Sequence, residues 1–108
     1  MNSGDAALLG KAYINAGELM GLSNTDLERV IGCDIVQDLL INPQSKEGEL
    51  AIYFIRIFKK LFGQLNGSKE EMQLWMKGFN KGTKGIPLEQ IMDKEGLYFV
   101  MSYLESHR

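Results

Sequence analysis

The sequence has one cysteine, one histidine, two prolines and one tryptophan in 108 residues. A lone cysteine, Cys33, cannot close an internal disulfide, so the fold must hold by packing, and a reducing cytoplasm is the expected location. His107 is penultimate and reads as a frayed tail, and no second histidine or cysteine exists to complete a metal-ligand set. No apolar run approaches the roughly eighteen residues of a membrane span. The opening MNSGDAALLGKAY lacks a basic region followed by an apolar core, so no secretory leader is expected. Cys33 has no histidine near it in sequence to activate it, which makes a structural thiol the simpler reading. The carboxylate pairs Glu70-Glu71 and Glu47/Glu49 fall at expected helix N-termini, where they favour the helix dipole. The glycine-bearing stretch 78–85 lacks the ending of a phosphate-binding loop and follows no strand. These absences point away from an enzyme: no catalytic residue, metal or cofactor is expected.

What is present is an ordinary globular composition, 44% apolar and 24% charged, in a chain sized for one small domain or two helical units sharing a core. The net charge of −2 hides an asymmetry. Residues 1–45 carry Lys11 and Arg29 against Asp5, Glu18, Asp26, Glu28, Asp34 and Asp38, two bases to six acids, or −4. Residues 46–108 carry ten bases to eight acids, or +2. An acidic front half repels phosphate.

Apolar spacing predicts a helix over 8–20, through Leu8, Leu9, Ala12, Tyr13, Ala16 and Met20, ended by Gly21. Ser23 and Asp26 have capping-box spacing for a short helix over 24–31, with Gly32 as its left-handed stop. Asp34 is read as the cap of a third short helix through Ile41, ended by Asn42-Pro43. Three short helices in this order outline a helix-turn-helix unit, or three helices packed only for stability. After a polar connector at 42–49, residues 50–62 are apolar on most sides, so this helix is either a central pillar or also a dimer surface. Ser68 and Glu71 give a second capping signal for a helix to about Lys77 that buries Met72, Trp75 and Met76. Pro87 suits the first turn of a short helix over 88–92, and Asp93 caps a last helix over 94–106 with Leu97, Val100, Met101 and Leu104 on one face. The expected fold is all-α: a helix-turn-helix-like unit at 1–45 joined to a helical unit at 46–108.

The stretch 71–88, EMQLWMKGFNKGTKGIPL, joins a helix ending on the sole tryptophan to a loop of three glycines, three lysines and one asparagine, closed by Pro87. A basic, glycine-rich loop between helices suits recognition better than catalysis.

The span 55–105 resembles the toxin-binding domain of the Xre/MbcA/ParS class of bacterial antitoxins. The resemblance rests on Phe62-Gly63 ending an apolar helix, Trp75-Met76-Lys77 followed by Asn80, then Gly85, Pro87-Leu88-Glu89-Gln90-Ile91, and Gly96-Leu97 opening the last helix. Upstream, Leu22-Ser23, Leu27 and Ile31-Gly32 resemble that class's Xre-type helix-turn-helix. The match covers roughly residues 8–106. Two loop positions depart from the class: Thr83 stands where leucine is usual and Lys84 where a glycine is. The resemblance implies a non-catalytic antitoxin that plugs the active-site cleft of a RES or ADP-ribosyltransferase-like toxin, one that acts on NAD or uses it. It implies toxin-binding roles for Trp75, Lys77, Asn80, Gly85 and Pro87; the charge of the loop adds Lys81 and Lys84. Trp75 is expected as the loop's internal anchor and the lysines as the contacts. Operator DNA is the other partner the class implies, with Asn24 and Gln37 as candidate contacts. Yet 34–40 holds two acids, no base and mostly apolar side chains, which suits a core or protein contact better than a DNA groove. A homodimer and no membrane partner complete the expectations.

Overall fold

A computed structural model describes residues 3–106; His107 lies outside the described residues. The chain is all-α, with six helices among the described residues: α1 (Ser3–Leu19), α2 (Asn24–Ile31), α3 (Lys46–Gln64), α4 (Lys69–Lys77), α5 (Pro87–Gln90) and α6 (Lys94–Ser106). No helix among them is long and apolar enough to cross a membrane.

Local chemistry explains most helix starts. Ser23 Oγ accepts from the Asp26 amide at 3.1 Å while the Ser23 amide donates to the Asp26 carboxylate at 3.2 Å, the reciprocal box that starts α2. Gly32 ends it at φ 76°, its amide donating to the Glu28 carbonyl. Ser45 caps α3 by accepting from the Gly48 amide at 3.0 Å. Ser68 does the same for α4 through Glu71 at 3.2 Å, and the Asp93 carboxylate accepts from the Gly96 amide at 2.7 Å at the start of α6. Each cap satisfies an amide that the helix leaves without a partner.

α3 is the pillar. Its buried face, Ala51, Phe54, Ile57 and Leu61, packs on α1, α2 and α6. Ile52 and Phe62 stay exposed, at 38% and 46%. Residues of both segments form one hydrophobic core, from Tyr13 to Leu104. The Tyr13 and Phe54 rings meet edge-on, 5.1 Å between centroids, and the buried Tyr13 hydroxyl donates to the Leu27 carbonyl at 2.7 Å. α6 runs parallel to α3 along a seam of three pairs: Lys94 with Glu49 at 2.8 Å, Tyr98 with Tyr53, and Glu105 with Arg56.

The third helix expected over 34–41 is not formed. This segment is an extended strap across α1. The Ile35 amide donates to the Glu28 carboxylate at 3.0 Å, Asp38 turns the chain at φ 57°, and the Ile41 amide donates to the Ala6 carbonyl at 3.1 Å. These bonds satisfy the backbone without a helix. Gly10 lets the strap approach: a Cβ there would sit 2.0 Å from the Leu39 carbonyl oxygen. Leu39 and Ile41 point inward and Leu40 outward, a period of two rather than 3.6. α1 also begins five residues earlier than its apolar spacing indicates, with Ala6 buried beneath the strap.

Candidate functional site

The stretch between α4 and α5 is a miniature hairpin. Asn80 and Gly85 exchange both backbone hydrogen bonds, at 2.8 and 3.2 Å, around a turn of Lys81, Gly82, Thr83 and Lys84. Asn80 Oδ1 accepts from the Thr83 amide at 3.0 Å, an internal clamp across the turn. Lys84 takes the left-handed conformation at φ 60°, where lysine gains nothing over the glycine usual at such positions. Thr83 turns inward, only 1% exposed, and its hydroxyl faces the Gly85 carbonyl at 3.4 Å. Gln90 of α5 reaches back, its Nε2 donating to the Thr83 carbonyl at 2.6 Å.

Two glycines dock the hairpin. A Cβ on Gly82 would meet the Tyr103 hydroxyl at 2.2 Å, and one on Gly85 would meet Gln90 Nε2 at 2.9 Å. The turn is thereby pinned to α6 and α5 together. Pro87 is buried at the first position of α5, where its missing amide costs nothing.

This geometry divides the sequence-derived residues into two sets. Trp75 is half-buried against the core, Pro87 is buried, Gly85 is covered by Gln90, and the Asn80 side chain is spent on Thr83. All four build the hairpin. Lys77, Lys81 and Lys84 are exposed, and none forms an ion pair among the described residues.

Sequence reasoning missed Leu74 and Phe79. They are 74% and 70% exposed, the highest values among the exposed large apolar residues, and they alternate with the lysines along the chain: Leu74, Lys77, Phe79, Lys81, Lys84. Leu74 had a signal: two residues past Met72, it lies about 200° around the helix from the buried side. Phe79 had none, since an aromatic after a helix end is usually core. With the three lysines they give the stretch from the end of α4 through the hairpin two exposed apolar side chains and three exposed cations. It can enter a cleft, bury apolar surface and meet negative charge.

The candidate DNA contacts lie on different elements. Asn24 is an exposed residue in the first turn of α2, and Gln37 is exposed in the turn of the strap. The helix expected over 34–41, which would have carried Gln37, is not formed.

In comparison with known proteins, no family model and no curated protein matches the chain.

Proposed function

We propose that this chain is a non-catalytic antitoxin that docks on a partner toxin through the α4–α5 hairpin and obstructs its active-site cleft. The observation that carries the reading is the exposure of Leu74 and Lys77 on the last turns of α4 and of Phe79, Lys81 and Lys84 in the loop that follows, whose turn is braced by Gln90 and Tyr103. A rigid projection loses little conformational entropy on binding. Its charge suits a cleft carrying acidic groups, and a toxin of the RES or ADP-ribosyltransferase-like type is the partner that the resemblance of 55–105 implies. The antitoxin works as a plug, so no group on it need perform chemistry.

The N-terminal unit serves this reading as a partner-binding helical unit without operator recognition. What supports that is the extended strap at 34–41 together with an acidic surface: phosphate contacts need lysine or arginine, and residues 1–45 carry only two such side chains. Co-expression with the protein of the adjacent reading frame tests the proposal. Co-purification with rescued growth supports it, whereas full toxicity with no complex defeats it. A salt-sensitive shift of the chain's own promoter fragment would restore the repressor reading instead.

A further inference from the structure

We propose that the face built by α1 and the 34–41 strap receives the lysine hairpin of a second copy of this chain. Leu40, 59% exposed, stands between two depressions. On one side is a groove of about 140 Å³ with Ala7, Ile14 and Leu39 as apolar walls and Lys11 and Asp38 among its lining. On the other is a more open hollow of about 280 Å³ containing Cys33, Ile41 and Glu47. Asp34 and Glu28 add to the negative field around Cys33 in that hollow, beside Glu47, and burial and these carboxylates together push the thiol's pKa up. An apolar slot beside an acidic hollow is complementary to an apolar residue beside cations.

The hairpin has that chemistry, with Phe79 for the groove and Lys81 and Lys84 for the carboxylates. It cannot turn back onto its own groove. Gly21, past the end of α1, packs on Gln73 of α4, while the groove surrounds Gly10. From Gly10 to the end of α1 at Leu19 is about 14 Å of helix, and the hairpin is pinned to Tyr103 of α6. The contact therefore forms between copies. Because the two surfaces differ, it is head-to-tail, so association continues past a dimer unless a ring closes. Under the proposed function, which this consequence rests on, toxin and neighbouring copy compete for one hairpin.

Sedimentation of the full chain from about 10 µM to about 200 µM tests the contact. The expected result is a mass rising with concentration above that of one chain. About 0.5 M salt, where screening acts within a few ångströms, reverses the rise. Leu40→Ser and Lys81→Glu/Lys84→Glu, each with an unchanged melting curve, weaken association at least tenfold. Asp34→Lys/Glu47→Lys also stays monomeric alone, but mixing it with Lys81→Glu/Lys84→Glu restores concentration-dependent association, because each variant's face then fits the other's hairpin. A chain that stays monomeric throughout overturns the proposal, as does an association that all three variants leave intact. Leu40→Ser still binds toxin, so loss of self-association alone leaves the antitoxin reading standing.

Discussion

Gly82 lies so close against the ring of Tyr103 that a Cβ on it would sit 2.2 Å from the hydroxyl oxygen. This contact fixes the basic turn to the last helix. Gly82→Ala should therefore push the hairpin off α6 at a cost of about 1–3 kcal/mol, the usual range for overpacking. Partner affinity should fall although every lysine remains. Tyr103→Leu in the same chain makes room and should restore much of both. Thermal melts and partner titrations of the two variants and their combination measure the coupling.

Tyr13 is wholly buried and its hydroxyl donates to the Leu27 carbonyl at 2.7 Å, tying α1 to α2. Tyr13→Phe removes this hydrogen bond while the Leu27 carbonyl keeps its rung in the α2 ladder, and should cost about 0.5–1.5 kcal/mol. At about 4–8 °C per kcal/mol for a domain of this size, the loss is plain in a melting curve. Burial also raises the Tyr13 phenol well above the usual range. In an alkaline absorbance titration Tyr13 should accordingly ionise only as the chain unfolds.

Cys33 is held protonated first by burial and then by Glu47, Asp34 and Glu28. The thiolate is the reactive form, so a thiol reagent near neutral pH should modify Cys33 more slowly than a free cysteine. Glu47→Gln removes one opposing charge, lowers the thiol pKa and should speed the reaction. Equal rates in the two proteins would contradict this electrostatic description.

Arg56 donates two hydrogen bonds to the Glu105 carboxylate, and they hold its pKa below the ordinary value. The resulting stability is present above the carboxylate's unfolded pKa and disappears as pH falls through the lowered folded one. Both side chains are partly open to water, so the pair is worth under about 1 kcal/mol. A double-mutant cycle with Arg56→Ala and Glu105→Gln should return a coupling in that range near neutral pH and none in strong acid.

The parts of this fold legible in the sequence are those that depend on neighbours along the chain. Ser23, Asp26 and Gly32 state the limits of α2 by themselves, and Leu97, Val100, Met101 and Leu104 place the buried face of α6. The strap was not legible because its structure comes from afar: Ile41 bonds to Ala6 and Leu39 rests on Gly10, contacts that no local window contains. Asp34 offered a cap, and Leu39, Leu40 and Ile41 fit helical and extended spacing equally well. The hairpin was half legible. Its lysines and glycines mark an exposed turn, but the inward rotation of Thr83 and the role of Gly82 depend on Gln90 and Tyr103, seven and twenty-one residues on. Phe79 reads as core until the fold leaves it outside.

The most direct test is the dissociation constant of the complex with the adjacent-frame protein, measured calorimetrically for the wild type and for Phe79→Ser/Lys81→Glu/Lys84→Glu. Central contacts of this kind are worth about 2 kcal/mol or more each. The account predicts affinity at least about a hundredfold weaker, with the melting temperature unchanged because all three side chains are exposed. An unaltered dissociation constant in a folded triple variant would contradict it, and would move the docking surface away from the hairpin.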